Sequence, residues 1–319
     1  MKPTDSNSSS GGFFSAPRNP PITVPSLRDR KVARGGMPIS AITAYDYTFA
    51  RLFDASGVDV ILVGDSLASI VQGYPTTLPV TMDEMAYHCR CVARGVTGAL
   101  VVGDMPFMSY QTSPEQALIS AGRLLKEGGV AAVKLEGGVV IAKTVRRLVE
   151  VDIPVVGHVG LTPQSYHRMG GHRIQGKKRG VAGDVGSAER IVADAIAVAE
   201  AGAFMIVVEG VPAEVAEEIT LLVSVPVIGI GAGPHCDGQI LVGSDLLGFN
   251  PYFKPRFLKR YAELGALAMD AVGSFVAEVQ KGEFPALEHT VHAAAPLSPT
   301  PAMHRSKGAK VSKLKMVRR

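Results

Sequence analysis

The sequence predicts a (β/α)8 barrel with reactive side chains gathered at the carboxyl ends of its strands. Two observations carry that prediction. Five apolar runs each end on isolated charged or ionisable residues: ILVGDS (61–66), LVVGDM (100–105), AVKLEG (132–137), VVGHVG (155–160) and MIVVEG (205–210). Fully buried strands of a parallel sheet read as such continuous Val/Ile/Leu runs. Helical stretches lie between the runs at the spacing of consecutive βαβ units. In a barrel of this kind the carboxyl ends of the strands meet on one face, where active sites are built. Asp65, Asp104, Lys134, Glu136, His158 and Glu209 would then share one pocket.

Taken in order, residues 1–27 are rich in Ser, Pro and Gly and are expected to be a disordered segment. Strands are expected near 39–46, 58–64, 99–105, 132–137, 154–160, 203–209 and 226–231, with a weaker one near 239–243. Helical periodicity fits 48–56, 82–94, 114–127, 140–150, 187–201 and 212–222. Ser113-Pro114-Glu115-Gln116 supplies a cap, a first-turn proline and an acid at a helix start. Gly128-Gly129 closes that helix. The barrel is expected over 28–292, followed by a basic, disordered tail over 293–319. One connection, 161–186, is unusually long, and a loop of that length is either functional or disordered. It follows the strand carrying His158, so it reads as a lid over the pocket or as a mobile surface excursion.

Composition narrows the class. The chain has 319 residues, 46% apolar and 19% charged, which suits a folded soluble protein. It has no run of about 18 apolar residues, so no membrane span is expected. The opening MKPTDSNSSSGG lacks the apolar core of a secretory signal. Of the net charge of +4, seven Lys/Arg without an acid belong to 293–319, which leaves −3 for the rest. That tail reads as a solvated arm and not as a nucleic-acid site, since no aromatic residues are interleaved with the charges. The three cysteines, Cys89, Cys91 and Cys236, form no disulfide framework. Cys89 and Cys91 would face different sides of a helix and would not share a metal. A reducing compartment is therefore expected: the cytoplasm, or a mitochondrial matrix if the source is eukaryotic.

The residue types suggest metal-assisted carbonyl chemistry. Asp65 and Asp104 each follow a glycine at the end of an apolar run, where a lone Asp would read as a helix cap. Two of them, joined by Glu136, read better as ligands of a hard cation. The lack of a Cys/His set favours Mg2+ over zinc. Lys134 and Glu136 share one face of their strand, either as a structural ion pair or as a ligand-binding pair. His158 reads as a core histidine or as a site residue. Glu209 has no cation nearby in sequence. In a dry pocket its pKa would rise, as suits a general base, although it could also be an acid preceding a helix at Pro212. Gly229-x-Gly231-x-Gly233 is not a dinucleotide fingerprint. It reads as a phosphate cradle or as a point of close backbone approach.

At this point the chain resembles one family, ketopantoate (3-methyl-2-oxobutanoate) hydroxymethyltransferase. The resemblance is carried by TAYDYTFARLFDASGVDVILVGDS, TTLPVTMDEM, GDMPFMSY, KLEGG, GHVGLTPQS, GGHRIQGK, VPVIGIGAG, DGQIL and FPALEH, which run from Thr43 to His289. It implies a barrel of the phosphoenolpyruvate mutase/isocitrate lyase type. It implies transfer of a hydroxymethyl group from 5,10-methylenetetrahydrofolate to 3-methyl-2-oxobutanoate, giving ketopantoate for pantothenate and coenzyme A synthesis. Asp65 and Asp104 look like Mg2+ ligands, one ion per subunit, with Glu136 reaching the ion through water. Ser66, Lys134 and His158 look like contacts to the 2-oxo acid, and Glu209 looks like the proton acceptor. The resemblance also implies a large homo-oligomer, often a decamer. The basic run Gly176-Lys177-Lys178-Arg179-Gly180 could favour a polyglutamyl tail on the folate or be an exposed charged loop. The competing expectation is an Mg2+-dependent 2-oxo acid lyase or mutase on the same barrel. Such enzymes typically carry a loop cysteine, and 161–186 has none.

Overall fold

A computed structural model of the chain describes residues 20–181, 184 and 186–292. The expected tail 293–319 and residues 1–19 lie outside the described residues. Eight parallel strands close into a barrel in sequence order: β1 Ile39–Thr43, β2 Val60–Val63, β3 Leu100–Asp104, β4 Ala132–Glu136, β5 Val155–Gly160, β6 Met205–Glu209, β7 Val227–Ile230 and β8 Gly238–Leu241. β8 pairs with both β7 and β1, which closes the ring. The helices are α1 Val24–Arg28, α2 Tyr47–Ala55, α3 Leu67–Ile70, α4 Met82–Ala93, α5 Pro114–Lys126, α6 Ala142–Val149, α7 Tyr166–Met169, α8 Ala188–Glu200, α9 Ala213–Leu222, α10 Gly243–Leu246 and α11 Leu264–Lys281. None is long and apolar enough to cross a membrane.

The two-residue period of the strands explains both the apolar runs and their charged ends. Val60 and Leu62, Leu100 and Val102, and Met205 and Val207 pack with Leu27 in one cluster. The alternate residues Ile61, Val63, Val101, Ile206 and Val208 pack in a second cluster with helix residues such as Val92, Leu124 and Val198. The first set therefore fills the barrel and the second faces the helices. Continuing the inward register one step along each strand leads to Thr43, Asp104, Lys134 with Glu136, His158 and Glu209. The barrel interior is apolar below and ionisable at its carboxyl end.

Caps act at the positions their residue types indicate. Ser113 Oγ accepts from Gln116 N at the start of α5, and Pro114 occupies its first turn. Thr81 and Glu84 form a reciprocal capping box on α4. Cys89 on α4 is buried and Cys91 only partly so, as their spacing requires, and all three cysteines are free.

Three differences from expectation have physical causes. Order begins before residue 28: Ile22 N donates to Gly98 O, and Leu27 on α1 is fully buried among the interior residues. Leu27, with Ile22 and Val24 packed against the same cluster, thus covers the amino-terminal end of the barrel. Nearby, Lys31 Nζ lies 2.7 Å from Asp237 Oδ2, and Asp237 also accepts from Val32 N and Val227 N. The connection 161–186 is not structureless. It opens with a 3-10 turn, Pro163–Ser165, followed by α7. Finally, α11 is a helix that the periodicity does not reveal. Its apolar residues recur at helical spacing, but Gly265, Gly273 and several alanines blur the pattern. The chain divides between Ala266 and Leu267 into two units. The first contains the barrel. In the second, Phe284 meets Phe275 edge-on and His289 at a tilt, while Leu267, Met269, Val272 and Phe275 are exposed.

Candidate active site

The strand register brings the predicted residues together at the carboxyl end. Lys134 is paired with Asp104 across β3 and β4, and Glu136 with His158 across β4 and β5. Asp65 lies just beyond β2, where the chain turns into α3, and its backbone N–H donates to Asp104 Oδ2 at 3.1 Å. Asp65, Asp104, Lys134, Glu136 and His158 are all buried. Ligand oxygens of Asp65, Asp104 and Glu136 lie within 4.8 Å of one another.

Lys134 stands at the centre of the charge balance. Its Nζ is 2.9 Å from Asp104 Oδ2, 3.7 Å from Glu136 Oε1 and 3.2 Å from His158 Nδ1. Burial opposes its charge, but the three carboxylates outweigh burial and hold the ammonium well above its ordinary pKa. His158 bridges two acids, with Nδ1 3.5 Å from Glu136 Oε1 and Nε2 3.2 Å from Glu209 Oε2. Burial and the Lys134 charge push the imidazole down. Glu136 and Glu209 push it up further, to about 9.

The carboxylates respond differently. Burial, then the charges of Asp104 and Glu136, push Asp65 well above the usual carboxylate range. Burial also raises Asp104, against the pull of Lys134. Glu136 ends below its ordinary value, because His158, Lys134 and a backbone donor outweigh its burial. Three buried acids facing one lysine and one histidine leave the cluster short of positive charge. Asp104 Oδ1 and Glu136 Oε1 are buried and have no hydrogen-bond partner. Such atoms normally have one, and an all-oxygen set suits a hard divalent cation. The residues present therefore fit a divalent cation.

Ser66 directly precedes α3, next to Asp65 in the chain. Gly243 N donates to Thr43 Oγ1, Thr43 donates to Tyr45 OH, and Tyr45 OH is 2.8 Å from Ser66 Oγ. Glu209 ends β6 with its side chain 25% exposed. The condition under which burial would raise its pKa, a dry pocket, is therefore only partly met.

Two residues escaped sequence reasoning. Gln164, in the 3-10 turn after β5, donates through its backbone N to Glu136 Oε2 and through Nε2 to Asp65 Oδ2. Tyr110, after β3, donates to Gln164 Oε1 at 2.7 Å. Only inclusion of Gln164 in the GHVGLTPQS block pointed to it. A cavity of about 400 Å3 adjoins Glu136 and Gln164 and is walled by Phe107, Val140, Arg168 and Arg190. Residues of 161–186, among them Thr162, Gln164 and Arg168, thus line a cavity beside Glu136. A larger cavity, about 530 Å3, lies at the other end of the barrel among Arg28, Val149 and Pro154, away from the charged strand ends. Arg179 of the basic run is exposed and pairs with Glu189 and Glu218, as a charged surface loop would. The glycines after β7 serve close packing: a Cβ on Gly229 would meet Cys236 Sγ at 2.9 Å, and one on Gly233 would meet Ala213 Cβ at 2.5 Å.

Comparisons with known proteins give the barrel type and the family. Two solved structures share the fold: 2,3-dimethylmalate lyase, a member of the PEP mutase/isocitrate lyase superfamily (TM-score 0.54, 19% identity, 83% of this chain and 87% of that one), and phosphonopyruvate hydrolase (TM-score 0.54, 13% identity, 86% and 92%). At these identities the likeness defines the barrel type alone. The 3-methyl-2-oxobutanoate hydroxymethyltransferase of Geobacter metallireducens is 53% identical over 261 residues, 82% of this chain and 96% of the relative. The protein of the same name from Pelobacter propionicus is 53% identical over 269 residues, 84% and 97%. The sequence profile of the ketopantoate hydroxymethyltransferases matches residues 21–287, and the chain belongs to that family.

Proposed function

We propose that this chain transfers a hydroxymethyl group from 5,10-methylenetetrahydrofolate to 3-methyl-2-oxobutanoate, giving ketopantoate, the first step of pantoate synthesis. The carrying observation is the meeting of three buried carboxylates with Lys134, His158 and a partly open Glu209 at one barrel mouth. Asp65 and Asp104 are assigned as direct ligands of one Mg2+ and Glu136 as a ligand through water. The unpartnered oxygens of Asp104 and Glu136 support this assignment. A cation held there would supply Lewis-acid polarisation of the 2-oxo group and acidify the C3–H.

The remaining steps belong to the chain's own residues. Ser66, Lys134 and His158 bind and orient the 2-oxo acid. The hydroxyl of Ser66, fed from behind by Tyr45, offers its proton to the substrate. Glu209 takes the proton from C3. Lys134 keeps a buried positive charge beside the cluster and stabilises the enolate oxygen where its charge develops. His158, 3.2 Å from Glu209, holds that carboxylate toward the site. The enolate carbon bonds to the folate's one-carbon unit and water supplies the hydroxyl oxygen, while both carbon–nitrogen bonds of that unit break; the proton taken from C3 and one from water pass to the two freed nitrogens, and tetrahydrofolate leaves.

Residues 28–292 are taken as the catalytic domain. The exposed Leu267, Met269, Val272 and Phe275 of α11 support a homo-oligomer, since exposed apolar clusters mark association surfaces. Three free cysteines support a reducing compartment, the cytoplasm or a mitochondrial matrix. The testing experiment is product analysis by mass spectrometry. Ketopantoate should form only when 3-methyl-2-oxobutanoate, methylenetetrahydrofolate and Mg2+ are all present. Folded, metal-supplied protein that makes none would overturn the reading and favour a lyase.

A further inference from the structure

We infer that Gln164 is a positioning residue that sets the divalent-cation affinity of the cluster, an inference that rests on reading Asp65, Asp104 and Glu136 as the ligands. Each of these acids has one oxygen tied to protein donors. Asp104 Oδ2 accepts from Asp65 N and lies 2.9 Å from Lys134 Nζ, while Oδ1 has no partner. Glu136 Oε2 accepts from Gln164 N at 2.9 Å, while Oε1 has no hydrogen-bond partner. Asp65 Oδ2 accepts from Gln164 Nε2 at 3.0 Å. One residue thus fixes two of the three acids, one through its main chain and one through its side chain.

Gln164 is itself fixed. Its Nε2 also donates to Met105 O at 2.9 Å, which uses the second amide hydrogen. Its Oε1 accepts from Tyr110 OH at 2.7 Å and from Gln111 Nε2 at 3.0 Å. Flipping the amide would set its oxygen against Asp65 and Met105 O, both acceptors, so the network permits one orientation. The side chain is also neutral. It turns Asp65 without adding a positive charge that would compete with a cation, or a negative one that would add to the repulsion. Partners behind metal ligands typically change affinity about 10–100-fold when removed.

Mn2+ binding to the full-length protein, followed by the paramagnetic resonance signal of the free ion, tests this. Gln164→Met keeps the length of the side chain and removes its hydrogen bonds. It should weaken Mn2+ binding about 10–100-fold while circular dichroism shows an intact fold. Asp104→Asn separates the two levels of the argument. If it binds Mn2+ as the unsubstituted protein does, the ligand reading fails and the role of Gln164 falls with it. If Asp104→Asn loses Mn2+ while folded Gln164→Met binds within twofold of normal, the ligands stand and the Gln164 assignment is overturned. Should Gln164→Met misfold, Tyr110→Phe decides. Removing the donor to Gln164 Oε1 should weaken Mn2+ several-fold, and unchanged affinity would refute the inference.

Discussion

Replacing Lys134 with methionine removes a buried positive charge from the carboxylate cluster, and the size of the effect follows from its contacts. The ammonium lies 2.9 Å from Asp104 and 3.7 Å from Glu136. At an effective dielectric of about 20 those pairs are worth about 6 and 4 kcal/mol before desolvation is subtracted. Desolvation of the buried ammonium cancels several of these, so the net expectation is the roughly 3–5 kcal/mol found when one partner of a buried pair is removed. At about 2–4 °C per kcal/mol for a domain of this size, Tm should fall by roughly 6–20 °C in the presence of EDTA. The loss should shrink in excess Mg2+, which would replace the missing charge. It should also shrink at lower pH. Asp65 already has a raised pKa in the folded state, and losing Lys134 raises it further. The folded variant therefore takes up a proton that the unfolded chain, with a carboxylate near 3.9, does not. That contribution is present at low pH and is lost as pH rises through the folded-state value, so the deficit is larger at pH 8 than at pH 5.5. Thermal unfolding followed by circular dichroism measures each of these. A variant in EDTA within about 1 °C of the parent, or one indifferent to Mg2+, would refute the charge argument.

Three further outcomes follow from the same site. Glu209→Gln should abolish exchange of the C3 proton of 3-methyl-2-oxobutanoate into deuterated water, a loss of at least about 100-fold, while Mn2+ affinity stays normal; retained exchange removes Glu209 from the role. Tyr45→Phe deletes the hydroxyl that lies 2.8 Å from Ser66 Oγ. At about 1 kcal/mol for the hydrogen bond, KM for the 2-oxo acid should rise roughly fivefold with kcat little changed, whereas a fall in kcat alone would contradict the role given to Ser66. His158, raised to about 9 when folded against about 6.5 unfolded, contributes roughly 3 kcal/mol that is full below pH 6.5 and lost as pH rises through 9. In EDTA the stability should fall over that window, and His158→Gln should flatten the decline.

The strands are legible in the sequence because burial on both faces leaves an unbroken apolar run, and the inward register then ends on a reactive residue. That is why the sequence alone suffices to place Asp104, Lys134, Glu136, His158 and Glu209 on one face. It does not suffice for Gln164, because its partners at 65, 105, 110, 111 and 136 are gathered only when the barrel closes, and a glutamine after Thr-Pro carries no local signal. The exposure of Glu209 is equally hidden: a strand end shows which way a side chain points, not whether anything covers it. α11 is obscured by its glycines. Leu27 is obscured because the Pro- and Ser-rich segment before it carries no clear helical or strand period, although it is as completely buried as the best-covered strand residues.

The interior of this barrel is built in two chemistries, and the upper one works against the lower. Layers of Val, Ile and Leu favour folding through burial. The acids above them are buried too, with Asp65 and Asp104 held above their ordinary pKa values by that burial, so ionising them opposes the folded state. Lys134 and His158 offset part of the penalty and cannot offset all of it, since unpartnered oxygens remain on Asp104 and Glu136. A divalent cation would relieve what is left, and any ligand present at 100 times its Kd adds about 2.7 kcal/mol of stability. Destabilisation of the cation-free cluster and affinity for the cation are therefore two expressions of one charge deficit. Neutralising Asp65, which is raised by burial and by its two acidic neighbours and forms no ion pair with Lys134, should stabilise the cation-free barrel while weakening its means of polarising a 2-oxo acid. That opposition explains why a fold able to fill its mouth with apolar residues, as it does lower down, places carboxylates there instead.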